Sequence, residues 1–284
     1  MRYTKYHGLG NDYLVMDPKQ VGRDLTKEEI ELVCHRNYGV GSDGILWGPL
    51  SSRDADFALR IFNPDGSEAE KSGNGLRIFS RFLFDQGWVK DARFSIWTVG
   101  GVVSSQVRND GALVDVEMGA VSFDSQRIPV LGPPREVLRE KLTIGGVDYT
   151  FCAATVGNPH CVLLLDEVSP ELAHRIGPTI EVEPRFPHRT NVQFMKVLGR
   201  RDIQIEIWER GAGYTLASGS SSSAAAAVAR KLGLCDGEIT VHMPGGKLGI
   251  TVREDFTINM TGPVTKVAEG ALDPEAFSVT IPRG

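Results

Sequence analysis

The sequence lacks the features that mark membrane and secreted proteins. None of its apolar runs is long enough to cross a membrane, and its first residues read as an alternating strand rather than as the apolar stretch of a signal peptide. The four cysteines, Cys34, Cys152, Cys161 and Cys235, show no C-x-x-C spacing. We therefore expect a cytoplasmic protein whose cysteines are small buried apolar groups.

Signals for metals, cofactors and nucleic acids are also scarce. No histidines stand at i, i+4 with a carboxylate, no cysteine spacing suits zinc, and no lysine motif indicates pyridoxal phosphate. The net charge is -5, and no basic cluster provides a footprint for nucleic acid. The sequence predicts no cofactor, no metal and a small molecule as the partner. It leaves the oligomeric state open, with a homodimer as one candidate.

One segment matches a nucleotide-binding pattern without its context. Residues 39–44 read G-x-G-x-x-G, but no buried parallel strand precedes them and no helix follows. Instead, Ile45-Leu46-Trp47 reads as a strand ended by Gly48-Pro49. We interpret the glycine-rich segment as a turn.

What the sequence does contain is an internal repeat. Gly10-Asn11 recurs as Gly157-Asn158, and Ser72-Gly73 recurs as Ser218-Gly219, at a nearly constant offset of about 146 residues. The slow drift of this offset is what small loop deletions in one copy would produce. We infer a duplication with one half over residues 1–118 and the other over 119–262. Residues 263–284 are expected to pack back on the first half, and the active site is expected in the cleft between the halves.

The secondary-structure signals predict an α+β fold. Residues 56–62, 111–117, 202–208 and 256–260 alternate apolar with polar side chains, as half-buried strands do. Thr26 with Glu29 forms a capping box, and Ser169-Pro170 opens another helix. Two more helices, over residues 75–85 and 221–231, are apolar around most of their surface. We expect two pseudo-symmetric halves, each a curved, mainly antiparallel sheet wrapped around one of these central helices.

Each central helix is preceded by a Ser-Gly pair. The first N–H groups of a helix have no partner within it and lie at the positive end of its dipole, so Gly73-Asn74 and Gly219-Ser220 offer two anion sites. A serine at such a place is most often simply an N-cap. Because the pair occurs twice, we favour the interpretation that both helix ends bind one ligand.

Polar side chains near these turns extend the candidate site. Four asparagines, Asn11, Asn63, Asn158 and Asn191, each stand beside a glycine, a proline or a strand end, and Arg210 follows a predicted strand. Turn asparagines commonly hydrogen-bond their own backbone. Together with a guanidinium they also form a set suited to a zwitterion that carries a second carboxylate.

These residues resemble the diaminopimelate epimerases, a family of cofactor-independent amino-acid racemases. The similarity runs from residues 5–12 through 62–70 and 157–160 to 208–213, and it covers nearly the whole chain. The resemblance implies an isomerase of lysine biosynthesis with two similar halves and its site in the cleft between them. It also implies roles for individual residues: Asn11, Asn63, Asn158, Asn191, Glu209 and Arg210 would bind substrate, Gly73, Asn74, Gly219 and Ser220 would hold the α-carboxylate, and His160 and Glu209 would flank the reacting carbon.

The chain departs from the family pattern at the two positions that carry the chemistry. The family places a cysteine before each of those glycines, and here the residues are Ser72 and Ser218. A helix N-terminus readily lowers the pKa of a thiol, whereas an alcohol needs a neighbouring base to react. The continuation of the second turn, Ser221-Ser222-Ser223, also differs from the family pattern. A natural branch with two serines is therefore our preferred account over a deliberate replacement of both cysteines.

Three functions stay open on this basis. The first is epimerisation of a diaminopimelate-like amino acid, with Glu209, His160 or a bound water doing the work of the thiols alongside Ser72 and Ser218. The second is proton abstraction by one base, which would give elimination or a double-bond shift. The third is a catalytically silent amino-acid binder.

Overall fold

The chain forms two compact units. The computed structural model describes residues 1–278. Unit 1 comprises Met1–Val116 together with the residues from Gly262 onward, and unit 2 comprises Glu117–Thr261. The superposition of the two halves and the cleft expected between them stay predictions.

Strands dominate both units. The first part of the chain contains β1 (Arg2–Gly8), β2 (Asn11–Met16), α1 (Pro18–Val21), α2 (Lys27–Cys34), β3 (Ile45–Leu50), β4 (Phe57–Phe62), β5 (Glu68–Ala69), α3 (Gly73–Asp85), β6 (Phe94–Thr98), β7 (Gly101–Arg108) and β8 (Leu113–Ala120). The second part contains β9 (Glu140–Ile144), β10 (Val147–Thr155), β11 (Pro159–Leu164), α4 (Pro170–Glu181), β12 (Asn191–Gly199), β13 (Asp202–Glu209), β14 (Gly213–Thr215), α5 (Gly219–Lys231), β15 (Glu238–Met243), β16 (Gly246–Val252) and β17 (Thr257–Gly262). The chain then adds β18 (Thr265–Ala271) and a 3₁₀ helix (Pro274–Ser278) to unit 1.

The strands of the two units pair in the same order. In unit 1, β2 runs parallel to β3 and β4 runs parallel to β6, while β1–β2, β3–β4, β4–β5, β6–β7 and β7–β8 are antiparallel. In unit 2, β11 runs parallel to β12 and β13 runs parallel to β15, while β10–β11, β12–β13, β13–β14, β15–β16 and β16–β17 are antiparallel. A parallel pair needs a crossover, and in each unit the second crossover carries the long helix α3 or α5.

These two helices match each other in length and in both ends. Each runs 13 residues, begins after a serine N-cap in an extended conformation and is followed by a glycine with positive φ, Gly87 at 72° and Gly233 at 70°. Both helices are buried: α3 packs on β1, β2 and β7, and α5 packs on β10 to β13, β15 and β16. The buried residues of α5 include a run of alanine and valine, Ala224–Ala229, small side chains that let the sheet approach closely.

The predicted starts of these helices, Gly75 and Ser221, were two residues late. The helices begin at Gly73 and Gly219, because the cap serine binds an N–H of the first turn and so fixes the start directly after itself. The capping box of Thr26 with Glu29 on α2 and the start of α4 after Ser169 are confirmed.

The predicted end of β3 was wrong. The strand continues through Gly48-Pro49 to Leu50, and its register against β4 shifts between Trp47 and Leu50. Proline has no N–H to donate to a partner strand, and an irregularity in pairing at this point lets the strand continue past it.

Two other expectations concern the cysteines and membrane-spanning helices. All four cysteines, Cys34, Cys152, Cys161 and Cys235, are free and buried, as predicted. Among residues 1–278, no helix is long and apolar enough to span a membrane.

Residues 39–44 form the expected turn, and it is packed tightly on the end of α2. The N–H groups of Val40 and Gly41 donate to the carbonyl of Val33 at 3.1 and 3.2 Å. A Cβ placed on Gly39 would lie 1.9 Å from the carbonyl oxygen of Leu32, a backbone atom that cannot turn aside. The turn therefore depends on the missing side chain at position 39.

We expect Gly39→Ala to lower the free energy of unfolding by about 2 kcal/mol, because the added methyl group forces the backbone of the turn away from α2. Gly199→Ala is the matched control, since a Cβ there meets no atom within 4 Å. The control should be unchanged or slightly more stable. Urea unfolding followed by circular dichroism measures both, and equal stability of the two variants would contradict the packing assigned to the turn.

Candidate functional site

Ser72 is the N-cap of α3 in unit 1. Its backbone is extended, with φ -135° and ψ 119°, and its Oγ accepts the N–H of Gly75 at 3.0 Å. The hydroxyl of Tyr13, on β2, lies 3.2 Å from the same Oγ. Ser72 therefore stands at the helix end as predicted, with its oxygen engaged in capping.

Asn11 and Asn74 are brought together next to this turn. The Asn74 amide, in the first turn of α3, donates to Asn11 Oδ1 at 3.0 Å, and Asn74 Oδ1 accepts from Arg77 Nη2 at 2.8 Å. Asn11 Nδ2 in turn donates to Asp43 Oδ2 at 2.9 Å. Two of the predicted substrate-binding residues thus belong to one hydrogen-bonded chain.

A charged cluster anchors the far end of that chain. Arg36 Nη2 contacts Asp43 Oδ1 at 2.6 Å and Asp12 Oδ1 at 2.8 Å, and Lys5 Nζ lies 2.8 Å from Asp12 Oδ2. Burial alone would raise the pKa of Asp12, but the hydrogen bonds from Arg36 and Lys5 hold this pKa below its usual value. Both carboxylates are therefore engaged by cations beside the candidate site.

Asn63 behaves as a turn residue. Its Nδ2 donates to Ser67 Oγ at 2.9 Å, and its backbone N–H donates to the Ser67 carbonyl at 2.8 Å. These bonds close the turn after β4. The substrate contact predicted for Asn63 stays a prediction.

Ser218 repeats the position of Ser72 in unit 2. It is the N-cap of α5, with φ -146° and ψ 125°, and its Oγ accepts the N–H of Ser221 at 3.4 Å. Ser220 Oγ lies 3.5 Å from Ser218 Oγ. Two later hydroxyls donate back into the helix, Ser222 to the Ser218 carbonyl and Ser223 to the Gly219 carbonyl, both at 2.8 Å. Ser220 is the one hydroxyl after the cap that stays partly exposed.

His160 is fully enclosed. It lies on β11, and its Nε2 is 2.9 Å from Asn158 Oδ1. Burial lowers the pKa of His160 from 6.5 to about 3, outweighing the neighbouring Gln193, which favours the charged ring. The imidazole is therefore neutral near pH 7, and it orients Asn158 as a neutral partner.

Gln193 links the same interior to α5. It is buried on β12, and its Nε2 donates to Ser221 Oγ at 3.0 Å. Gln193 Oε1 and His160 Nδ1 are both buried without a hydrogen-bond partner within the described residues.

Asn191 and Arg210 are joined at the end of β13. Asn191 Nδ2 donates to the Pro159 carbonyl at 2.9 Å, and its Oδ1 accepts the backbone N–H of Arg210 at 3.0 Å. The Arg210 guanidinium is exposed and donates to the His188 carbonyl at 3.0 Å. Glu209 is the last residue of β13 and is partly buried. The three residues that the sequence predicts here, Asn191, Glu209 and Arg210, thus lie at adjoining strand ends.

Glu181 holds this strand end in place. It is the last residue of α4, and its two carboxylate oxygens accept the Trp208 indole N–H at 2.7 Å and the Gly211 N–H at 2.9 Å. Arg189 also contacts it. Burial alone would raise the pKa of Glu181, but the bonds from Trp208, Gly211 and Arg189 hold this pKa below its usual value.

Sequence reasoning missed five residues that contact the predicted ones or their neighbours in the chain: Tyr13, Asp43, Arg77, Glu181 and Gln193. Asp43 was read only as part of a turn, although a carboxylate inside a glycine-rich segment that precedes a buried strand is a usable signal. Arg77 carried a second signal, since it is the one charged residue in the first two turns of an apolar helix.

The site residues also define what each serine can do. Among residues 1–278, neither Ser72 Oγ nor Ser218 Oγ has a hydrogen bond to a carboxylate, an imidazole or an amine. A serine becomes a nucleophile or a base only with such a partner. The helix ends therefore offer N–H groups to an anion, and both hydroxyls are engaged as caps.

Comparison with known proteins places the chain in a family. The family model for diaminopimelate epimerase matches residues 3–123 and 152–267. A relative from Nostoc sp., named diaminopimelate epimerase 2, is 62% identical over 279 residues and is covered to 98%, as is this chain. A diaminopimelate epimerase from Desulfitobacterium hafniense is 40% identical over an alignment of 284 positions that covers 98% of this chain and all of the relative.

Solved structures share the fold at low identity. A phenazine biosynthesis protein of the PhzF family from Bacillus anthracis superposes with a TM-score of 0.68 at 18% identity, covering 95% of this chain and 98% of the other. A hydroxyproline epimerase from Agrobacterium vitis gives 0.68 at 15% identity, with coverage of 97% and 93%. The predicted α+β fold with two pseudo-symmetric halves is confirmed.

The neutral state of His160 has a measurable consequence for stability. Its pKa is about 3 in the folded protein and 6.5 when unperturbed, so between these values the unfolded chain binds a proton that the folded chain does not. The contribution of His160 to the free energy of unfolding should therefore be complete above pH 6.5. Below pH 6.5, this group alone should lower the free energy of unfolding by about 1.4 kcal/mol per pH unit. In His160→Gln this contribution is absent. Urea titrations of both proteins from pH 8 to pH 4 measure it, and parallel curves would show that His160 ionises normally.

Proposed function

Because the chain belongs to the diaminopimelate epimerase family, we propose that it acts at the α-carbon of a diaminopimelate-like amino acid without pyridoxal phosphate or metal. The observation that carries this proposal is the pair of matched helix ends. Ser72-Gly73 and Ser218-Gly219 begin two buried helices with nearly equal backbone angles at the cap. Such ends bind carboxylates through backbone N–H groups and the helix dipole.

Recognition of the ligand falls to groups already fixed in place. The N–H groups of Gly73, Asn74, Gly219 and Ser220 suit the α-carboxylate, since helix geometry gives them no acceptor one turn earlier in the helix. The amides of Asn11 and Asn158 offer both donors and acceptors to an ammonium or a carboxylate. Arg210, exposed at the end of β13, supplies the guanidinium for a second carboxylate.

Inversion at the α-carbon needs one base to remove the proton and one acid to return a proton to the opposite face of the resulting carbanion. In the family pattern two cysteines do this, because a thiolate is accessible at a helix N-terminus. The Oγ of Ser72 and that of Ser218 each accept a backbone N–H of the helix that they cap. Neither has a base as a hydrogen-bond partner in the described part of the chain. We therefore propose that binding is intact and that inversion by this chain is slow.

The site also limits what can replace the thiols. His160 is buried and neutral, so a general-base role would require the ring to become accessible to the substrate. Glu209, at the end of β13, is the carboxylate closest in sequence to Arg210. A one-base reaction would therefore use Glu209, and it would exchange the α-proton without inverting the carbon.

Deuterium uptake tests the proposal through the serines. We expect Ser72→Cys combined with Ser218→Cys to gain exchange and inversion of diaminopimelate in heavy water, because both thiols would then lie at positive helix ends where their pKa falls. Each single variant should gain much less, because inversion needs both groups. The parent should show little or none.

The other outcomes separate the alternatives. A parent that inverts diaminopimelate quickly would make Glu209 or His160 the base and would overturn the assignment to the serine positions. Exchange without inversion in the parent indicates one-base chemistry. If the ligand binds and neither protein exchanges the proton, the chain is a silent binder and the proposed activity is wrong.

Arg210 gives a separate prediction about the second carboxylate. Arg210→Ala should weaken binding of diaminopimelate by about 1.5–3 kcal/mol, the contribution of a charge-assisted hydrogen bond, and should leave a monocarboxylic amino acid little changed. Arg200→Ala is the control, since Arg200 is paired with Asp236 on the surface of the same unit. Calorimetric titration measures both ligands. Equal losses for the two would show that Arg210 serves only the structure of its turn.

A further inference from the structure

A chain of side-chain hydrogen bonds in unit 1 runs in one direction from a cation to an anion. Arg77 Nη2 donates to Asn74 Oδ1 at 2.8 Å, Asn74 Nδ2 donates to Asn11 Oδ1 at 3.0 Å, and Asn11 Nδ2 donates to Asp43 Oδ2 at 2.9 Å. These four side chains form what we call the amide relay. Both of its inner members are predicted ligand-binding residues.

The charged ends of the relay decide how the amides point. An asparagine amide is nearly symmetric in shape, so only its hydrogen-bond partners determine which end carries the oxygen. A guanidinium can only donate and a carboxylate can only accept. With Arg77 at one end and Asp43 at the other, neither amide can turn over without setting donor against donor or acceptor against acceptor.

The cationic end is built into the interior. Arg77 is fully buried, and burial lowers its pKa to about 10, which leaves the guanidinium charged near neutral pH. A Cβ on Gly8 would lie 2.8 Å from Arg77 Nη2, so the neighbouring strand leaves space for this group. Asn74 is also buried, with 5% of its surface exposed.

The anionic end is fixed by the turn over residues 39–44. The Asp43 N–H donates to the Asp12 carbonyl at 2.9 Å, and Asp43 Oδ2 also accepts the Asp12 N–H at 3.0 Å. Arg36 contacts the other carboxylate oxygen. The carboxylate that orients Asn11 is thereby tied to the backbone beside Asn11.

We propose that Asp43 and Arg77 are positioning residues that set the donor and acceptor pattern of Asn11 and Asn74 toward the amino-acid ligand. Beyond the relay, the Asn11 amide keeps one N–H and one oxygen lone pair, and their placement follows from the orientation that Asp43 imposes. Neither Asp43 nor Arg77 needs to touch the ligand for this. The inference rests on the proposed function, since the ligand is the one proposed there.

The test compares two changes at the same ion pair. Asp43→Asn replaces a carboxylate that can only accept by an amide that can also donate, so the Asn11 amide can turn over, and the affinity for meso-diaminopimelate in calorimetry should fall by about tenfold or more. Arg36→Gln removes the cation from Asp43 but leaves the acceptor for Asn11, and it should stay within about threefold of the parent. Equal losses in both variants, or no loss in Asp43→Asn, would overturn the proposal.

A double variant separates orientation from stability. In Asp43→Asn combined with Asn11→Asp, the amide introduced at position 43 can donate to the carboxylate introduced at position 11, so the urea midpoint should recover from that of Asp43→Asn. Affinity should stay low, because position 11 has lost its N–H donors. Recovery of both the urea midpoint and the affinity would mean that the relay serves only stability. Recovery of neither would mean that positions 11 and 43 do not set the direction of the hydrogen bonds in the relay.

The relay is also visible without any ligand. The side-chain amide signals of Asn74 in a ¹⁵N spectrum should shift in Asp43→Asn and stay in place in Arg36→Gln, while those of Asn63 stay in place in both. If the parent fails to bind meso-diaminopimelate, the proposed function is wrong, and these spectra alone decide on the relay. Unchanged Asn74 signals in Asp43→Asn would then overturn it.

Discussion

The capture of a first-turn N–H by a serine side chain is the interaction on which the arrangement of each unit depends. It fixes where a buried 13-residue helix begins. The start of the helix in turn fixes which backbone N–H groups point out of its end, and which side chains, Asn74 in unit 1 and Ser221 in unit 2, lie in its first turn. Since α3 packs on β1, β2 and β7, and α5 packs on β10 to β13, β15 and β16, a shift of one residue at the cap would displace every contact along them.

The same capping bond conflicts with the chemistry of the position. A cap residue must present a lone pair to a backbone N–H, whereas a base must present a lone pair to a substrate proton. Sulfur is larger and more polarizable, and its anion is accessible at the end of a helix dipole, so a thiol can give up the capping role when it ionises. An alcohol stays neutral at a helix end, and a hydroxyl that caps the helix is then lower in energy than one that is ionised. Under the proposed function, the same serine therefore accounts for both the capped helix end and the slow inversion.

The sequence predicted well whatever is governed by local rules or by repetition. Serine caps, the capping box at Thr26, the strand alternation and the duplicated Ser-Gly pairs are short-range patterns, and they recur in the structure. The continuation of β3 past Gly48-Pro49 was not accessible in this way, because pairing with β4 on either side of the irregularity decides it. Asp43 and Arg77 were missed for a related reason. Their importance comes from partners 32 and 3 residues away, and only the folded chain shows that both lead to the same pair of amides.

The carboxylate of Glu181 has a consequence that reaches beyond its own bonds. It ends α4, a helix that carries none of the predicted ligand-binding residues, yet it anchors the indole before Glu209 and the backbone after Arg210. The side chains Ala173, Ile176 and Ile180 pack α4 into the core of unit 2. The depth of that helix in the core therefore bears on where Arg210 leaves β13. Under the proposed function, a packing change in α4 would retune which length of dicarboxylic amino acid fits.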